Sequence, residues 1–293
     1  MNKYEAVTAR FHELHESGCF VLPNPWDVGS TILLEHLGFK AVATTSAGFA
    51  FSRGWPDDTK FIPREAMLEH FREIAAATSL PVNADFQNGF ADEPEAVGQS
   101  VRSCVATGVA GLSIEDSTGQ NDQPLYDFDL AIARIEAARA AIDAVSVPGA
   151  IATGSTSPIN NHQVLLTARC EAFLVGDPDP LRTSVERLVA FADAGADCLY
   201  APGVTEPDEI AQIVKAVAPK PINVLLFAKN CNLTVSQLAD LGVRRISVGS
   251  SLARAAWGGL IRAAEEIQAS GSFAAFADAA TFDLNSLFRN QPR

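Results

Sequence analysis

Residues 81–117, PVNADFQNGFADEPEAVGQSVRSCVATGVAGLSIEDS, hold a short apolar run that ends on Asp85 and Gln87, a helical stretch that closes on a glycine, and a second short run that ends on Glu115. Two short strands joined by a crossover helix form a parallel βαβ unit. The same rhythm extends in both directions. Candidate strands fall at 19–24, 40–46, 81–87, 111–117, 163–169, 197–203, 221–227 and 244–250, with helical stretches at 30–38, 63–78, 93–108, 129–144, 181–195, 206–218 and 234–242. Eight such units in about 250 residues fit a closed (β/α)8 TIM barrel better than a doubly wound open sheet, which often carries a glycine-rich first turn. No GxGxxG follows residues 19–24. Residues 1–293 are therefore read as a single α/β barrel domain. The stretch 251–293 reads as the eighth helix plus a C-terminal helical extension, broken at ASGS, 269–272.

Two segments interrupt the rhythm. STGQNDQPLYDFD, 117–129, follows the fourth strand on the face where barrel sites form and is expected to act as a lid. SVPGAIATGSTSPINNHQ, 146–163, precedes the fifth strand and reads as a surface insertion away from the chemistry. A net charge of −13 disfavours nucleic acid or an anionic membrane as partner. The first residues read as a polar amphipathic helix without a signal-peptide core, and no apolar run is long enough to span a bilayer, so a soluble cytoplasmic protein is expected. Five dispersed cysteines without a CxxC pair argue for reduced, mostly buried thiols.

The chemistry lies at the strand ends, because polar residues at the C-terminal ends of barrel strands share one mouth. Asp85 and Glu115 are acids at such positions, and period-two alternation puts Asp85 with Gln87, and Arg169 with Glu171, on common sides. Two carboxylates, an amide and an arginine suit a hard divalent cation such as Mg2+, which takes oxygen ligands. No histidine stands at a strand end, which speaks against catalytic zinc; His12, His15, His36, His70 and His162 read as surface or packing residues. Taken singly, the acids have competing roles: Asp85 as a helix cap, Glu115 as the partner of an arginine.

The segments ATTSAGFAFSRGWPDD (43–58), LPVNADFQNGFAD (80–92), GLSIEDSTG (111–119), LTARCEAFLVGDPD (166–179), GADCLYAPG (195–203) and LGVRRISVGSSLARAA (241–256) resemble, in order, the strand-end motifs of the isocitrate lyase and phosphoenolpyruvate mutase superfamily. The resemblance implies Mg2+, with Mn2+ as the alternative, anchored by Asp85, with Asp57, Gln87 and Glu115 contributing largely through water. Gln87 stands where the superfamily usually has a second aspartate, which implies weaker metal binding. Thr45, Ser46 and Ala47 resemble the oxyanion-binding turn, Arg169 the substrate-binding arginine, and Glu171 the acid that orients it.

What this implies is a lyase acting at a small 2-oxo or 2-hydroxy dicarboxylic acid through an enolate, in a homo-oligomer, dimer or tetramer, that exchanges C-terminal helices. Isocitrate and methylisocitrate lyases carry a Lys-Lys-Cys-Gly-His loop after the fourth strand and a glutamate at the end of the sixth. This chain has STGQNDQPLYD and YAPG at those places, and Cys170 alternates away from the Arg169 side. Cleavage of isocitrate or methylisocitrate is thus not expected. Asn121 is the loop residue matched to the mutase lid, as a donor to a phosphonyl or carboxylate group. Carbon–phosphorus chemistry and non-catalytic binding of 2-oxo acids are the alternatives.

Overall fold

The computed structural model describes residues 3–144, 163–228, 232–281 and 283–289; the expected insertion at 146–163 lies outside them except for Gln163, as do His162 and Cys231. In chain order the elements are α1 (Lys3–Glu16), β1 (Phe20–Leu22), α2 (Val28–His36), β2 (Val42–Ala43), α3 (Ser46–Ser52), α4 (Arg64–Ala76), β3 (Val82–Asp85), α5 (Pro94–Val105), β4 (Gly111–Glu115), α6 (Phe128–Ala144) and β5 (Leu165–Arg169). They continue with α7 (Ala172–Val175), α8 (Pro180–Asp193), β6 (Cys198–Tyr200), α9 (Pro207–Val217), β7 (Ile222–Leu225), α10 (Val235–Asp240), β8 (Arg245–Ser247), α11 (Ser251–Ser270), a 3-10 turn (Ala274–Asp278) and α12 (Leu284–Arg289). All eight expected strands form. The short helices α3 and α7 were not expected; each immediately follows a strand, where a periodicity window is too short to register it.

Seven parallel ladders join the strands in the order β1-β8-β7-β6-β5-β4-β3-β2. The remaining seam, between β1 and β2, is closed by Ala43 N–H donating to the Pro23 carbonyl at 3.0 Å and by the Asn24 amide donating to the Thr44 carbonyl at 2.8 Å. Asn24 Oδ1 also accepts from Val248 N and Gly249 N, both at 2.9 Å, so one side chain ties β8, β1 and the end of β2 together at the mouth. The structure is therefore a (β/α)8 barrel with a C-terminal helical extension. Among the described residues no helix is long and apolar enough to cross a membrane.

Alternation along the strands divides the core in two. Val42, Val82, Ala84, Leu112, Ile114, Leu166, Leu199, Val224 and Ile246 face outward and pack under the helices. Leu22, Ala43, Leu165 and Cys198 face inward and meet Phe11, which brings α1 across the floor as a plug. Gly111 makes room for it: a Cβ there would lie 2.6 Å from the Phe11 ring and 2.9 Å from Asn83 Oδ1. Above this floor the lumen turns polar, which leaves the mouth as the place for chemistry.

Cys104, Cys170 and Cys198 are buried free thiols and Cys19 is half-buried, as the spacing implied. In α11 the chain stops at Gly271, whose φ of 70° is the left-handed conformation that glycine takes at helix ends, within the expected ASGS break.

His70, on α4, is buried and stacks on Phe49 with centroids 4.3 Å apart, and burial, reinforced by the Arg53 charge, pushes its pKa down to about 4. Between its ordinary value near 6.5 and about 4, the unfolded chain binds a proton that the folded chain refuses. The stabilisation is therefore whole above pH 6.5 and lost as pH falls through that window. His70→Phe is expected to reduce the loss of unfolding free energy between pH 7 and pH 5 by about 2 kcal/mol. Urea titrations at the two pH values test this, and equal losses in both proteins would refute it.

Candidate active site

The barrel register places Glu115 beside Arg169, and Arg169 beside Tyr200, on adjacent strands. Arg169 is the hub of the site. Its Nη1 lies 2.7 Å from Asp85 Oδ1, its Nη2 3.1 Å from Glu115 Oε2 and 2.9 Å from Glu171 Oε1, and its guanidinium sits 5.1 Å from the Tyr200 ring centroid. The structure thus brings together Asp85, Glu115, Arg169 and Glu171, four of the residues singled out in the sequence.

Local structure explains how each is aimed. Asp85 ends β3 with its N–H donating to Thr44 Oγ1 at 2.9 Å, while its Oδ2 accepts from Ser46 N at 3.0 Å. That N–H is free to do so because Ser46 opens α3, whose first amides lack intrahelical acceptors. Thr45 caps the same helix, with Oγ1 accepting from Gly48 N at 3.2 Å. After β3 the chain turns through Gln87 and Phe90, non-glycine residues with φ of 47° and 56°, a conformation that L-residues adopt only when their surroundings impose it. The turn carries Gln87 Nε2 to 3.4 Å from Asp57 Oδ1 and leaves Gln87 Oε1 buried with no donor.

These groups surround two neighbouring spaces at the mouth, which share Ser46, Asp57, Arg169 and Leu174 as walls. One, of about 320 Å³, is lined by Asp57, Gln87, Glu115, Arg169 and Glu171, with Ser117 and Gly119 of the 117–129 segment at its rim. The other, of about 250 Å³, is lined by Thr45, Ser46, Ala47, Asp57, Asp85 and Arg169 at its upper end and descends into the barrel. The 117–129 segment is tied at its base by the Ser117–Leu125 bridge and by Thr118 N donating to the Pro124 carbonyl at 3.0 Å. Asn121, at its tip, is exposed and lines neither space.

Four carboxylates against one arginine leave the site short of positive charge. Burial, and then the neighbouring acids, push Glu115 well above the usual carboxylate range despite Arg169. Burial raises Glu171 to about 7, and burial together with the Asp85 charge raises Asp57. For Arg169, burial favours the neutral form, but Glu171, Glu115 and Asp85 outweigh it and hold the guanidinium firmly charged. Among the described residues no three His, Cys, Asp or Glu side chains surround a common point as a preformed metal nest. The space between Asp85 and Glu115 is bridged instead by Arg169.

Several residues escaped the sequence reading. Asp116, next to Glu115 but facing the opposite side of the strand, accepts from Glu171 N at 2.8 Å and from Arg187 Nη1 at 3.1 Å, and so fixes the turn that presents Glu171. Tyr200, Asn223, Arg245 and Ser247 line the descending space. Their signal was present as polar residues at alternate positions in CLY, INVL and RIS, which place them in the lumen.

A closed parallel barrel with acids and an arginine gathered at the C-terminal mouth is the architecture of a barrel enzyme. The phosphoenolpyruvate phosphomutase family profile matches residues 11–268. A provisionally named lyase/mutase of Burkholderia cenocepacia J2315 is 44% identical, covering 98% of this chain and 97% of its own, with a TM-score of 0.88. An uncharacterized protein of Mycobacterium tuberculosis H37Rv is 33% identical over 246 residues, 82% of this chain and 81% of its own. The 2-methylisocitrate lyase of Escherichia coli K12 is 28% identical over 258 residues, 83% and 79% of the two chains. The chain belongs to the phosphoenolpyruvate mutase family of the isocitrate lyase superfamily, a group of enzymes that includes both lyases and mutases.

Proposed function

We propose that this protein is a Mg2+-dependent lyase that cleaves a C–C bond in, or decarboxylates, a small 2-oxo or 2-hydroxy dicarboxylic acid through an enolate. The observation that carries the reading is the convergence of Asp85, Glu115 and Glu171 on Arg169 at the barrel mouth, beside the Ser46 amide.

The residues present suit a hard cation. Asp57, Asp85, Gln87 and Glu115 offer only oxygen donors, Gln87 Oε1 is a buried acceptor with no donor, and both Asp57 and Glu115 are crowded by like charge. A bound Mg2+, or Mn2+, would supply positive charge that polarises a 2-oxo carboxylate. The amides at the start of α3, Ala47 and also Ser46 once Asp85, its present acceptor, turns to the cation, would stabilise negative charge developing on the substrate's keto oxygen. In the decarboxylation of a 2-oxo diacid the carboxylate held by Arg169 would leave as CO2 and the electron pair of the broken bond would pass into the enolate; in the cleavage of a 2-hydroxy diacid the hydroxyl proton would pass to a carboxylate of the site such as Glu115 as the C–C bond breaks. Glu171, held near 7, is the group that returns a proton to the enolate carbon.

The C-terminal region supports a homo-oligomer, dimer or tetramer. Trp257, Leu260 and Ile261 on α11 and Phe273 and Phe276 beyond it are exposed apolar side chains in one short stretch. Asn121 would take part only if the 117–129 segment closes. The second reading, carbon–phosphorus chemistry on phosphonopyruvate, is favoured by the lack of cysteine among the residues that line the two spaces, since the lyase loop uses one.

The test is an NMR assay of the purified protein with Mg2+ against oxaloacetate, phosphonopyruvate, methylisocitrate and 2-methylmalate. Pyruvate or another 2-oxo acid released from a dicarboxylate above the Mg2+-only control is the expected result. Phosphate release from phosphonopyruvate alone would replace the lyase reading with the second one. Binding without turnover of any of them would leave a 2-oxo-acid binding protein.

A further inference from the structure

Arg245 stands at the start of β8 with its side chain in the barrel lumen, almost wholly withdrawn from solvent. Its partners are all neutral. Nε donates to Asn223 Oδ1 at 2.9 Å, Nη2 to Thr167 Oγ1 at 3.0 Å, and Nη1 to His15 Nε2 at 3.3 Å. His15 carries no charge at neutral pH, since burial and the Arg245 charge push it down to about 3, and its Nδ1 faces the Phe11 carbonyl at 2.7 Å as the donor. Among the described residues no carboxylate forms an ion pair with Arg245. Among the described residues the other arginine this deeply set, Arg134, donates to three backbone carbonyls but lies within the influence of the Asp92, Asp116 and Glu115 charges, and the less buried Arg169 and Arg187 meet carboxylates directly.

An isolated buried cation is costly, and three neutral acceptors neither cancel its charge nor occupy all of its N–H donors. A residue serving only as a strut between β5, β7 and α1 would need no charge. Arg245 also lines the lower end of the 250 Å³ cavity whose upper end is formed by Ser46, Asp85 and Arg169. A second unmet group belongs to a residue that lines the same space: Asn83 Oδ1, buried beside Gly111 and without a donor.

We propose that the lower end of this cavity is an anion subsite in which Arg245 receives the distal carboxylate of a dicarboxylic ligand whose other end lies at the barrel mouth. Asn83 Oδ1 then selects for a ligand that also presents a hydroxyl or another donor near that end. The proposal rests on the reading above for the class of ligand but not for the metal or the reaction. It makes Arg245 a residue that decides length and charge: a monocarboxylate satisfies the mouth and leaves the lower cation unmet, whereas a diacid of the right span satisfies both.

The experiment is calorimetric titration of the full chain in EDTA with oxalate, malonate, succinate and glutarate, and with acetate and pyruvate as monocarboxylate controls. In the wild type one diacid binds best, more tightly than either control. Arg245→Met lowers affinity for that diacid by about thirtyfold or more while changing the monocarboxylates less than about threefold. Thr167→Asp, which places a carboxylate beside Nη2, loses the diacid to the same extent and melts at a higher temperature, because the missing counter-charge is now built in. A folded Arg245→Met that keeps the wild-type preference for the diacid overturns the proposal. If Arg245→Met does not fold, undiminished diacid binding by Thr167→Asp overturns it equally. Because EDTA excludes divalent metal, a protein that shows this binding but no Mg2+-dependent turnover would overturn the lyase reading and support the subsite.

Discussion

Asp85→Ala is expected to abolish Mg2+-dependent binding of 2-oxo acids and leave the barrel folded. Asp85 holds two groups at once: Oδ1 meets Arg169 at 2.7 Å and Oδ2 accepts from Ser46 N at 3.0 Å. It reaches both the Ser46 amide and the arginine, and in the proposed reading it anchors the cation. Removing it takes away a full negative charge from the donor set, and neither the neutral Gln87 nor the crowded Glu115 can replace that charge. Affinity for oxalate in the presence of Mg2+ should fall by at least about a hundredfold, beyond calorimetric detection. The fold should lose only about 1–3 kcal/mol, because Arg169 keeps Glu115 and Glu171 as partners. Metal-dependent affinity equal to that of the wild type would remove the basis of the site assignment.

Arg169→Lys is expected to lower kcat/KM by roughly a hundredfold or more, since truncating a buried, hydrogen-bonded charge network costs several kcal/mol. Arg169 uses Nη1 on Asp85 and the Nε/Nη2 edge on Glu171, directions that diverge within one planar group. A lysine ammonium is a single point of charge and cannot reach both sides. The carboxyls left behind are already pushed upward by burial, Glu171 to about 7, so they should take up protons that the arginine kept off. The variant should therefore bind protons on folding that the wild type does not, measurable as buffer-dependent heat, together with the loss of turnover. Wild-type kcat/KM in Arg169→Lys would show that the guanidinium serves the fold and not the substrate.

Much of the site was legible in the sequence because of where barrel chemistry sits. An acid closing an apolar strand, as in VNAD or LSIE, stands out against its neighbours, and period-two alternation assigns its side. Asp85, Glu115, Arg169 and Glu171 meet for that reason. Asn121 was chosen from its place in a loop, and loop position does not fix direction; the structure leaves it exposed at the tip. Asp116 went unread because its partners, Glu171 N and Arg187 of α8, are brought to it only by the fold.

By itself the sequence determined the closed barrel, its eight strands and the order in which polar residues reach the mouth, since these follow from spacing and alternation along one chain. Only the tertiary structure decided that Arg169 bridges three carboxylates, that Asn24 locks the β1/β2 seam, and that Arg245 ends beside Thr167, Asn223 and His15 with no counter-charge among the described residues. Those contacts join strands and a helix up to 230 positions apart. They depend on the shear with which the barrel closes, and that shear is set by the packing of all eight strands together.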